Sequence, residues 1–172
     1  MKNYVTYDKI NYVCCMKVGA TSMEYVIEQL VPSDYKKCSN IWNMNKQPNT
    51  QKWFNEIVEG NRLVFVYKVN DDFIGEGALV FENGDPDYTI KGQRIYLSRM
   101  IVKPGYRNKG IGSIIVDYLA DYAKQLGYKE MSLGVDIDNV SARHLYVKKG
   151  FINIIFEGED EYGKYVKLIK TL

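Results

Sequence analysis

One stretch constrains this 172-residue chain more than any other: Val102-Lys103-Pro104-Gly105-Tyr106-Arg107-Asn108-Lys109-Gly110-Ile111-Gly112. The apolar run Met100-Ile101-Val102 enters it and reads as a buried strand. A long amphipathic pattern leaves it, with Ile111, Ile115, Tyr118, Leu119, Tyr122 and Leu126 on one face at helical spacing. Between the two lies R-x-x-G-x-G. A helix N-terminus presents unpaired N–H donors and the positive end of the helix dipole, so this loop is a candidate anion cradle. Gly110 and Gly112 allow close approach of an anion to the backbone, and Arg107 and Lys109 add positive charge. Two rival phosphate motifs are absent. The loop is not G-x-x-x-x-G-K-[ST], and it is not G-x-G-x-x-G after a first strand.

The segment that follows narrows the reading. Gly127 ends the helix. Tyr128 to Asp136 then alternates, with Met131, Leu133 and Val135 on one side, which predicts a strand. Asn139 is a good N-cap for a short helix through Ala142, Leu145 and Tyr146 to Lys149, stopped by Gly150-Phe151. The two patterns V-x-P-x-x-R-x-x-G-I-G and N-x-x-A-x-x-L-Y-x-x-x-G-F, from Val102 to Phe151, resemble the GNAT superfamily of N-acetyltransferases.

That resemblance implies an α+β, three-layer fold. Its mixed, mostly antiparallel central sheet would be flanked by helices and splayed between the fourth and fifth core strands. It implies acetyl-CoA as acyl donor and a primary amine as acceptor, attacked directly in a ternary complex. Carried over position by position, the pyrophosphate falls on Arg107, Asn108, Lys109, Gly110, Ile111, Gly112 and Ser113, and the pantetheine arm on Met100, Ile101 and Val102. Pro104 and Tyr106 shape the loop. Tyr146 matches the family's catalytic acid and also touches the cofactor. A tyrosine near its ordinary pKa of about 10 is protonated at neutral pH and able to donate. Asn139 matches a residue that bonds the cofactor arm, alongside its N-cap role. No metal is implied.

In several family members a glutamate on the fourth core strand is the base, and that position here is Tyr96. Alternation puts Tyr96, Ser98 and Met100 on one face, none of them a carboxylate. Two routes stay open: Glu76 and Glu82 on the preceding strand acting through water, or a backbone carbonyl with ordered waters if the acceptor amine has a low pKa. Glu82, Asp85 and Asp87 border one loop, and Glu157, Glu159, Asp160 and Glu161 border the final hairpin. An acidic rim there favours a cationic small molecule such as a polyamine or aminoglycoside. Two alternatives stand beside this expectation: acetylation of a protein N-terminus or lysine, and a CoA-binding sensor without turnover.

Composition bounds the rest. A hydrophobic fraction of 46% with 26% charged residues fits a soluble protein, and a net charge of +2 gives no electrostatic reason to expect nucleic acid or membrane as partner. No run of about 18 apolar residues occurs. Three cysteines (Cys14, Cys15, Cys38) without C-x-x-C fit reduced thiols, and with no secretory leader pattern the expectation is cytoplasmic. The single histidine, His144, is expected on an exposed helix face.

Along the chain, residues 1–22 read as an N-terminal arm and 23–172 as one acetyltransferase domain. The arm's apolar residues need cover from the domain or from a second copy, so a homodimer is one expectation. Tyr25–Leu30 is the first core strand. Helices start at Pro32 and Pro48, and the resemblance implies that they form one wall of the acceptor site. Strands follow at Arg62–Tyr67, Phe73–Glu82 and Gln93–Lys103, and a closing hairpin at Ile152–Phe156 and Tyr165–Ile169.

Overall fold

The computed structural model describes residues 12–18 and 21–172, with side chains from Tyr25 onward. The remainder of the arm lies outside the described residues. The chain forms β1 (Tyr12–Val18), β2 (Thr21–Gln29), a 3-10 segment over Pro32–Asn40, α1 (Thr50–Val58), β3 (Arg62–Val69) and β4 (Asp72–Val80). It continues through β5 (Arg94–Val102), α2 (Ile111–Gln125), β6 (Glu130–Asp136), α3 (Val140–Lys148), β7 (Asn153–Asp160) and β8 (Gly163–Thr171). The eight strands make one sheet in the order β1-β2-β3-β4-β5-β6-β8-β7. Every neighbouring pair is antiparallel except β5 and β6. A parallel pair needs a crossover, and α2 supplies it. This is the mixed, mostly antiparallel sheet that the resemblance implies. In the arm, β1 pairs with β2 from Tyr12↔Ile27 to Val18↔Thr21.

The sheet is the middle of three layers. On one face α2 and α3 cover it, and Ile95, Leu97, Ile111, Ile115, Leu119, Met131, Leu133 and Phe151 form the larger core. On the other, the Pro32–Asn40 segment and α1 bring Tyr35, Cys38, Ile41, Trp42 and Ile57 onto Val64, Val66, Phe73 and Ala78. The helix expected from Pro32 is therefore a 3-10 segment. Among the described residues no helix is long and apolar enough to cross a membrane.

One irregularity sets the geometry of the centre. The β4–β5 register jumps from Leu79↔Leu97 to Ala78↔Arg99, which leaves Ser98 as the extra residue of a β-bulge. A bulge resets alternation. Tyr96 and Arg99 fall on the α1 face, and Met100 falls on the α2 face with Leu97. The expectation that Tyr96, Ser98 and Met100 share a face fails for this reason.

Candidate active site

β5 and β6 pair only at Arg94↔Glu130, Ile95↔Met131 and Tyr96↔Ser132. Past Tyr96 the strands separate. β6 stays on β8 through Asp136↔Tyr165, while β5 stays on β4 through Val102. Among the described residues, the side of β5 that faces β6 therefore has no partner strand from Leu97 to Val102. Met100, Ile101 and Val102 all lie on this open stretch.

The loop after Val102 ends at α2. Among the described residues, the backbone N–H groups from Asn108 to Ser113 have no hydrogen-bond partner, and Ile114 is the first to bond back, to Gly110 O at 3.1 Å. Asn108 and Gly110 both adopt left-handed conformations, with φ of 60° and 81°. Left-handed residues within a run of unpaired N–H groups are the backbone pattern of an anion-binding nest. Gly110 is needed at its φ. Gly112 is needed for contact: a Cβ there would come 3.2 Å from Leu145 and 3.4 Å from Met100. Arg107 donates from Nε to Val102 O at 3.0 Å, so it ties the loop to the end of the open strand. The Lys109 ammonium lies 5.2 Å from the Tyr106 ring. An unpaired strand edge running into a ring of unpaired N–H groups fits an acyl-CoA. The loop would hold its pyrophosphate, and the edge would hold its amide-bearing arm.

Tyr146 on α3 is buried and packs edge-to-face with Phe151 at 5.9 Å. Burial, and then the neighbouring Tyr96, push its hydroxyl up to about 12. Asn139 caps α3 by accepting from Ala142 N at 3.2 Å. His144 is exposed on the same helix.

The α1 face carries a second constellation that sequence spacing does not reveal. Arg99 donates from Nε to Glu76 Oε1 at 2.8 Å, and its guanidinium lies 3.9 Å from the Trp42 ring and 4.8 Å from that of Trp53. Arg62, almost fully buried, donates to Glu56 at 2.7 Å and to Ser98 Oγ at 3.1 Å, which ties the bulge to α1. Among the described residues, Glu76 Oε2 and Trp42 Nε1 are buried without a partner. Cys38 lies in this core, and burial followed by the Glu76 carboxylate push its thiol up, which makes it an inert packing residue. Of the two carboxylates expected to work through water, Glu76 is on this face. Glu82 is exposed beyond the end of β4.

The acidic rim expected at Asp85 and Asp87 is an ion-pair cluster. Lys167 Nζ on β8 donates to Asp85 at 2.7 Å and to Asp87 at 2.9 Å. The Lys167 hydrogen bonds hold the Asp85 carboxyl below its ordinary range. Partners 80 and 82 residues apart leave no local signal in a sequence.

The Acetyltransferase (GNAT) family model matches residues 18–151. The chain belongs to the GNAT family of acetyltransferases. Its match spans both motifs, the open slot and the loop. Among curated relatives, streptothricin acetyltransferase of Streptomyces lavendulae is 30% identical over 47% of this chain and 47% of its own length. Thialysine N-epsilon-acetyltransferase of Bos taurus is 42% identical over 36% of each. The chain thus spans about half the length, or less, of these two relatives. Among solved structures, the ribosomal-protein-S18-alanine N-acetyltransferase of Escherichia coli has a TM-score of 0.70 at 19% identity, covering 86% of this chain and 93% of its own. A GNAT acetyltransferase from Elizabethkingia anophelis with acetyl-CoA bound has a TM-score of 0.67 at 16% identity, covering 86% and 98%. These two likenesses speak to the fold.

Proposed function

We propose that this protein is an acetyl-CoA-dependent N-acetyltransferase whose acceptor is the primary amine of a small molecule. The observation that carries this is the junction of an unpaired β5 edge with the unpaired N–H groups of the 108–113 loop. The partial relatives named for streptothricin and thialysine favour a small amine.

When bound, acetyl-CoA supplies an activated acetyl thioester. Asn108 to Ser113 orient it by its pyrophosphate, and Met100, Ile101 and Val102 line its arm along the open edge. Arg107 keeps loop and strand end together. Tyr146 holds a proton that it gives to the departing sulfur, and its phenolate regains a proton from water to close the cycle. Its raised pKa keeps that proton in place across the working range. Tyr96 occupies the position of a strand carboxylate, and Glu76 is engaged by Arg99. The amine's proton therefore leaves to water, and the reactive fraction of the amine is set by its own pKa.

Two measurements test the reading. Calorimetry should detect acetyl-CoA binding, and a panel of small amines should release free thiol. Thiol release with peptides alone would move the acceptor to a protein. Binding with no release by any amine or peptide would leave a CoA sensor.

A further inference from the structure

The acceptor side of the slot is lined by rings and by charges that are already paired. Tyr88, in the loop between β4 and β5, lies with its ring 4.2 Å from that of Tyr96 on β5. Its hydroxyl reaches β6, where a Cβ on Gly134 would collide with it. The ring thus bridges the two strands just past Tyr96↔Ser132, the last pair before they part. Lys167 holds this bar in place. Its ammonium pairs with Asp85 and Asp87 on the loop and lies 4.8 Å from the Tyr88 ring and 4.3 Å from that of Phe156. Across the same face stand Trp42 and Trp53, edge-to-face at 5.9 Å with Arg99 against both.

We propose that Tyr88, held by Lys167, is the acceptor-specificity residue of this enzyme, and that the acceptor is a monoamine with an apolar or aromatic body. This rests on the N-acetyltransferase reading above. A polycation needs carboxylates with no internal partner. Here Glu56 pairs with Arg62 and Glu76 pairs through Oε1 with Arg99, while Asp85 and Asp87 share the single Lys167 ammonium, so that cluster keeps one net negative charge beside Tyr88, enough for one ammonium and not for a chain of them. Rings on both sides offer dispersion and cation–π contact to one ammonium on an apolar stem. A chain of ammonium groups would be stripped of water against those rings with a counter-charge for only one of them.

The test compares binding of 2-phenylethylamine and spermidine to the protein saturated with CoA, by calorimetry, in wild type and in Tyr88→Phe and Tyr88→Leu. In wild type the arylalkylamine binds at least about tenfold tighter. Tyr88→Phe keeps most of that ratio. Tyr88→Leu preserves apolar volume without the ring and lowers the ratio at least about threefold, while CoA affinity is the same in all three. Tighter spermidine binding that weakens between about 50 and about 500 mM NaCl would overturn the inference. So would a ratio unchanged in Tyr88→Leu, or binding of neither amine. Binding in the expected order without thiol release would instead sink the transferase reading and leave the site's selectivity standing.

Discussion

Two loops border the slot, and they treat their polar groups in opposite ways. In the 107–113 loop, six consecutive N–H groups have no partner among the described residues. In the loop between β4 and β5, polar groups are paired internally. Asp85 and Asp87 meet Lys167, Ser132 Oγ donates to Tyr88 O at 2.6 Å, and Arg94 Nη1 donates to Pro86 O and Asp87 O. Both loops are rich in turn residues, and both look like charged surface in the sequence. The difference is that unpaired donors prepare a loop for an external anion, whereas paired charges make a loop into a rigid wall.

The largest effect should come from placing charge in the unpaired loop. Gly110→Asp puts a carboxylate where the pyrophosphate is expected, while Gly110→Asn introduces the same left-handed strain without charge. The Asp variant should bind acetyl-CoA about 100-fold more weakly, and the Asn variant no more than about tenfold. Equal losses would mean that the loop contributes shape and not electrostatics.

Removing the Tyr146 hydroxyl comes next. Tyr146→Phe should lower kcat about 10- to 100-fold with acetyl-CoA affinity intact, since thiolate is a tolerable leaving group and the low end of acid catalysis applies. Burial raises the Tyr146 pKa from 10 to about 12, so the protonated donor persists through pH 10. Wild-type kcat should therefore show no fall centred at pH 10. Over the same range kcat/KM should rise with pH along the acceptor's own titration curve. A rise fixed at one pH for amines of different pKa would reveal an enzyme base.

A smaller effect is expected at the paired wall. Lys167→Met leaves two partly exposed carboxylates facing each other, which should cost about 1 kcal/mol of stability after allowance for solvent screening. Urea unfolding measures this, and a loss above about 3 kcal/mol would show that Lys167 supports the core and not just the loop. The smallest effect concerns Glu159 and Asp160 on the final hairpin, which are exposed. Charge reversal at both should change the acceptor KM less than about threefold. A larger rise for cationic amines would restore the acidic rim as a recognition element.

Much of the slot's architecture was legible because its signals are local. The strand–loop–helix around Arg107 and the N-cap at Asn139 are each decided within a few residues by glycine conformations, cap chemistry and helical spacing. The same locality makes Tyr146 and Phe151 neighbours, since one turn of α3 and a glycine separate them. The bulge at Ser98 was not legible. Its alternation looks regular, and the extra residue exists only because β4 dictates the register across the strand pair. The acidic loops misled for a related reason. A carboxylate in a turn looks solvated until a lysine some 80 residues away is folded against it.

By itself, then, the sequence determined the family's fold, the phosphate-type loop and the candidate acid, because each depends on neighbours along the chain. Tertiary structure alone decided which face Arg99 and Met100 occupy, which carboxylates meet a cation, and that Tyr88 bridges β5 and β6. Those outcomes depend on strand register and on contacts between distant segments. Burial and charge pairing become defined only when the sheet brings those segments together.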